Sequence, residues 1–166
     1  MASPRLPDSL QRHAGLIHKV AFTYCRNATD REEVVQEIAV QLWRAWDRYD
    51  PRFAESTWVY RVALNVAISW FRREHRHHRT RVELDPECLS APEPAESTGD
   101  CERLLRCIDE LDLLDRALVL LNLDGNDHAT TAEVLGISTS NVGTRLSRIR
   151  QRLRMTLAPR LDNLNP

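Results

Sequence analysis

The stretch from Ala129 to Leu153, ATTAEVLGISTSNVGTRLSRIRQRL, constrains this chain more than any other. Wound at roughly 100° per residue, its second half sets Val142, Leu146, Ile149 and Leu153 on one face. Asn141, Thr144, Arg145, Arg148 and Arg152 fall in a sector roughly 110° away. One face can pack while the other meets solvent or a ligand. Ahead of it, Ala132 is small enough for a close helix crossing, Gly136 permits a positive φ at a turn, and Ser138 is placed to cap a helix that starts there. Helix, glycine turn and capped helix in this order make a helix-turn-helix, whose second helix enters the major groove of duplex DNA. Arginine forks pair with guanine or phosphate, Asn pairs with adenine, and small hydroxyls such as Ser140 and Thr144 allow close approach. The competing reading is an arginine-rich, solvated helix in an ordinary helical domain.

The formal charge of −1 hides strong segregation. Residues 72–81 hold five Arg, three His and one Glu; residues 137–160 hold six Arg and no acid; residues 82–102 hold seven acids and no base. Local basic patches, not the total, govern counterion release at a polyanion. The length of 166 residues and the 42% hydrophobic content allow one medium domain or two small ones with real cores. No run approaches the roughly 20 apolar residues of a membrane helix, and Pro4, Arg5, Pro7 and Asp8 interrupt the start, so an unexported, cytoplasmic protein without membrane insertion is expected. Cys25, Cys88, Cys101 and Cys107 lack paired CxxC spacing and read as reduced thiols. His75, His77 and His78 read as part of a basic tail, with metal binding the lesser alternative. No metal and no cofactor are expected.

Between helical halves, VELDPECLSAPEPAESTGDC (82–101) has three prolines and no apolar periodicity, and reads as a linker. No strand-like alternation flanks it, so the expected fold is all-α: a three- or four-helix domain over 1–81, the flexible acidic linker 82–101, and a helix-turn-helix domain over 102–160. Helices are expected near 7–26, 30–47 and 56–76, then 102–109, 113–123, 129–135 and 139–157. Thr29 with Glu32 forms a capping box for the second, and Asp50-Pro51 breaks the chain before the third. In the second helix Val34, Ile38, Leu42 and Trp46 make the core stripe, with Glu33, Glu37, Gln41 and Arg44 outward. In the third, Val59, Val62, Ala63, Val66 and Trp70 face the core. Trp58, Arg61, Asn65, Ser69 and Arg72 line an outer sector suited to single-stranded nucleic acid, since indoles stack on unpaired bases and arginines neutralise the backbone. A tucked, structural Trp58 is the alternative, and Tyr49, Phe53, Tyr60 and Phe71 share that ambiguity.

DREEVVQEIAVQLWRAWDRYDP followed by STWVYRVALNVAISWFRRE resembles region 2 of bacterial RNA polymerase sigma factors, and the last half resembles region 4. Two domains in this order with a short acidic linker are similar to the extracytoplasmic-function (ECF) branch, over about residues 8–157. The resemblance implies that Asp30, Glu33, Gln36, Glu37 and Trp43 dock on the β′ clamp helices of core RNA polymerase. It implies that the loop Asp47–Ser56 and the following helix, with Trp58, Tyr60, Arg61, Asn65, Ser69 and Arg72, capture flipped bases and hold the melted minus-10 strand. The helix carrying Ser138, Ser140, Asn141, Thr144, Arg145, Arg148 and Arg152 would enter the minus-35 groove of promoter DNA, its domain touching the β flap. An anti-sigma factor covering these surfaces is the implied regulator, with phosphorylation near Ser56 or Thr57 the other route. The chain departs from the family at Ser69, often acidic; at Asp112, often Pro; and at Gly143, often basic. No nucleophile elbow, phosphate loop or paired catalytic carboxylates stand out, so catalysis is expected to belong to the polymerase. Two rivals stay open: a self-sufficient helix-turn-helix regulator, and a thiol or metal sensor built on the cysteines and histidines.

Overall fold

The computed structural model describes residues 6–84 and 100–157, with side chains over 6–76 and 103–157. All regular elements among them are helical, and they fall into two compact units divided between Leu89 and Ser90. Most of the acidic stretch 82–101, with Cys88, lies outside the described residues, as do the side chains of His77, His78 and Cys101. No helix among the described residues is long and apolar enough to cross a membrane.

The first unit contains α1 (Leu6–Arg12), α2 (Ala14–Tyr24), α3 (Ala28–Ala45), a 3-10 turn (Trp46–Arg48) and α4 (Glu55–Leu84). The single helix expected over 7–26 is interrupted at His13. Arg12 Nη1 donates to Glu55 Oε2 at 2.9 Å, and His13 Nε2 lies 3.1 Å from Glu55 Oε1. Two successive side chains thus reach one carboxylate at the start of α4, which ties the α1–α2 corner to it. The expected Thr29–Glu32 capping box also gives way to an earlier start. Asn27, in extended conformation, accepts from the Asp30 amide at 2.8 Å and donates back to the Asp30 carboxylate at 2.7 Å. Helix α4 continues past the expected end at 76, because nothing opposes it until the Asp85-Pro86 pair, where proline disfavours helical geometry at the preceding residue.

Val34, Ile38 and Leu42 form the buried stripe of α3 as expected, against Ile17, Val20, Ala21 and Tyr24 of α2 and the inner face of α4, whereas Trp46, expected to extend the stripe, falls in the 3-10 turn and is half-buried. That inner face is Val59, Tyr60, Ala63, Leu64, Ala67 and Trp70, while Val62 and Val66 are half-buried. The buried sector is turned by about 60° from the expected one, at 100° per residue. The cause is tertiary: α4 packs against both α2 and α3, so its apolar centre lies between two neighbours.

The second unit contains α5 (Asp100–Asp109), α6 (Leu113–Leu123), α7 (His128–Leu135) and α8 (Thr139–Leu157), all within two residues of expectation. Its core is Leu111, Leu118, Ala132, Val142, Leu146 and Ile149, flanked by Val119, Leu135, Ile137 and Leu153. Helices α6 and α7 each start at a capping side chain: Asp112 accepts from the Asp115 amide, and Asp127 from the Thr130 amide, both at 2.7 Å. Gly136 ends α7 in the left-handed region at φ 67°, a conformation that disfavours side chains with a Cβ. Arg116, missed in the sequence, is buried and donates to the carbonyls of Leu111 and Asp109, stapling the α5–α6 corner.

Candidate nucleic-acid interface

Helix α8 begins as its sequence requires: Ser138 Oγ accepts from the Asn141 amide at 3.1 Å. Opposite the buried Val142–Leu146–Ile149 face stand the exposed Ser140, Asn141, Thr144, Ser147, Arg148 and Gln151. Thr144 Oγ1 bonds back to the Ser140 carbonyl at 2.9 Å, which fixes its rotamer. Ser147 and Gln151 were not singled out in the sequence, where the arginine stripe drew attention. The point diametrically opposite the apolar face was the available cue.

Arg145 behaves differently from its neighbours on the stripe. Its side chain is only 26% exposed, and it donates from Nε to Asp115 at 2.7 Å and from Nη2 to Asp112 at 2.8 Å. Partial burial opposes its charge, but the hydrogen bond and charge of Asp115, with those of Asp112, outweigh it and raise its pKa. Arg152 leans the same way, 3.6 Å from Glu110. The stripe is therefore split: Arg148 faces solvent, whereas Arg145 faces the protein.

Gly143 is not required by packing. A Cβ there would meet the His128 ring at 3.7 and 3.8 Å, ordinary van der Waals contact. Gly143→Ala is accordingly expected to stabilise the second unit by about 0.5–1 kcal/mol, raising its melting temperature by roughly 4 °C in circular dichroism. A lower melting temperature would show that the His128 contact is costly.

In the first unit, Arg61, Asn65, Ser69 and Arg72 are exposed along one sector of α4, as expected. Tyr60 is not with them. It is 3% exposed, its ring in the core, which removes it from any strand-facing surface. Thr57 is also buried, which withdraws it as an accessible modification site. Trp58 is half-buried in an aromatic cluster, edge-on to Trp46 at 5.7 Å and tilted against Tyr49 at 5.3 Å, while Trp46 and Tyr49 stack at 5.7 Å. The cluster braces the loop before α4. Tyr49 Oη donates to the Phe53 carbonyl at 2.9 Å, and the Arg52 backbone and side chain both donate to Asp50, holding that carboxyl below its usual range. Phe53, 54% exposed, is presented at the end of this folded loop.

On α3, Glu33 and Gln36 are exposed and Trp43 is 68% exposed, whereas Asp30 is engaged with Asn27. Gln41 donates to Glu37 at 2.7 Å, and the pair lines a groove of about 360 Å³ with Asn65, Ser69 and Arg73 of α4. A second groove, of about 540 Å³, is bounded by Leu6, Pro7, Trp43 and Trp46. Burial, with Asp30 nearby, pushes the Cys25 thiol up to about 12, keeping it protonated and poorly nucleophilic near neutrality, which argues against a sensor at that cysteine.

A capped helix-turn-helix in one helical unit, with exposed cations beside a braced aromatic loop in another, defines a two-unit DNA-binding protein. The family model for sigma-70 region 2 matches residues 10–77, and that for sigma-70 region 4 matches residues 101–153. The chain belongs to the sigma-70 family, in its ECF branch. It is 27% identical over 163 residues to the ECF RNA polymerase sigma factor SigE of Mycolicibacterium smegmatis, covering 95% of this chain but 63% of that relative's length. Identity with the RNA polymerase sigma factor CnrH of Cupriavidus metallidurans is 28% over 158 residues, covering 86% of this chain and 81% of the relative. Among solved structures, the sigma factor RpoE in complex with the anti-sigma factor NepR from Bartonella quintana superposes with a TM-score of 0.71 at 20% identity, covering 92% of this chain and 96% of that one. CnrH in complex with the cytosolic domain of CnrY gives 0.67 at 24% identity, covering 92% and 87%.

Proposed function

We propose that this chain is an alternative sigma factor: it binds core RNA polymerase and directs initiation at selected promoters, without catalysing chemistry of its own. The observation that carries this reading is the presence of two surfaces with different nucleic-acid chemistry on one chain. The α8 ridge of Ser140, Asn141, Thr144, Ser147 and Arg148 suits the edges of paired bases in a major groove. The loop Asp47–Ser56, with Arg61, Asn65, Ser69 and Arg72, suits a separated minus-10 strand. Capturing an unstacked base offsets the few kcal/mol that opening costs.

The outer side of α3, with Glu33, Gln36 and Trp43 exposed and Glu37 half-buried beside them, is the proposed seat on the β′ clamp helices, and the second unit is the proposed partner of the β flap. An anti-sigma factor is the proposed regulator, supported by solved relatives that carry one. Work of this kind places the chain with the polymerase in the cytoplasm.

The test is run-off transcription with purified core polymerase on promoters found by RNA sequencing after overexpression. Trp43→Ala is expected to weaken core binding about thirtyfold, the scale of an interface hot spot near 2 kcal/mol, and to leave the melting temperature unchanged because the ring is mostly in solvent. A chain that forms a stable dimer, shifts duplex DNA alone and never directs initiation would favour a self-sufficient regulator instead.

A further inference from the structure

We infer that Arg145 is a positioning residue and not a DNA-contacting one: it pins α8 to the N-terminus of α6 through Asp112 and Asp115, and so sets which side chains of α8 meet the bases. This rests on the reading of α8 as the groove-entering helix.

Three observations carry it. Two donors of the guanidinium, Nε and Nη2, are spent on Asp115 and Asp112. The residue flanks the buried Val142–Leu146 face, about 60–100° from those positions, whereas Thr144, Ser147 and Arg148 lie on the far side of the helix. Finally, one cation faces two carboxylates, so the cluster offers a phosphate no net attraction.

Asp112 gives the arrangement its directionality. One carboxylate oxygen caps α6 through the Asp115 amide, and the other holds Arg145. Where α6 starts and how α8 is rotated are thereby coupled through a single side chain.

The experiment uses the full chain with core polymerase and two duplexes: an upstream element selected by the wild-type protein from a randomised pool, and a scrambled one. Affinities are measured between 50 and 200 mM salt, at a temperature where circular dichroism shows every variant folded. Arg145→Ala is expected to lower the selected-to-scrambled ratio about tenfold, the scale of one mispaired contact, with the slope of log affinity against log salt unchanged. Arg148→Ala is expected to reduce that slope by about 0.9, the loss of one phosphate contact. Asp112→Asn with Asp115→Asn should reproduce the Arg145→Ala loss, and the triple variant should add little to it. The charge-exchanged pair, Arg145→Asp with Asp115→Arg, should recover part of the ratio. A slope reduced by about 0.9 in Arg145→Ala, with binding strengthened on neutralising the aspartates, would show that Arg145 touches phosphate and overturn the inference. If no variant of α8 alters either slope or ratio, the groove-reading role of the helix itself falls.

Discussion

Leu118→Ala is expected to cost the second unit about 3 kcal/mol, because a buried leucine truncated in a packed core loses its transfer energy and leaves a cavity. Leu118 is fully buried among Leu111, Ala132, Val142, Leu146 and Ile149, at the point where α6, α7 and α8 meet. A unit of this size has roughly 3–9 kcal/mol of total stability, so the variant should melt about 12 °C or more lower. Scanning calorimetry should show one transition moved and the first unit's transition in place. Function should divide in the same way: selection of the upstream duplex is lost near the lowered melting point, while core binding persists. Transitions that shift together would mean that the two units do not fold independently.

Trp58→Ala is the second large effect. The indole is held between Trp46 and Tyr49. Removing it strips both aromatic pairs, each worth about 0.5–1.5 kcal/mol beyond its area. Tyr49 then loses its backstop, and with it the hydrogen bond that shapes the loop at Phe53. Open complexes, read by permanganate reactivity of unpaired thymines, are expected to fall at least tenfold while affinity for core polymerase stays within about twofold, since the residue lies off the α3 docking face. Trp58→Phe keeps an aromatic ring in the brace and should retain most opening. Equal loss of opening and core binding in Trp58→Ala would detach this cluster from the melted strand.

Parts of the fold and of the candidate site were unevenly legible in the sequence. The turn at Gly136, the cap at Ser138 and the α8 core stripe are local features, each set by a conformational preference or a helical period within a few residues. The α3 core stripe was legible for the same reason. Tyr60, open between core and strand on its spacing and set on the strand-facing surface by the family resemblance, is enclosed because two packing neighbours of α4 turn its apolar face. The ion pairs of Arg145 were not legible because its partners are 30 and 33 residues away in sequence. The break at His13 was hidden similarly, since Glu55 lies 42 residues on.

Helix type, the limits of the second unit's helices and the order of two units were written in the residues themselves, because caps, glycine turns and 3.6-residue periodicity act over one or two turns. Which arginine points at solvent and which at a carboxylate, and whether an aromatic ring braces a loop or lies in the core, depended on side chains brought together by folding. Charge pairing and ring packing act through space over a few ångströms, and distance along the chain carries little information about them.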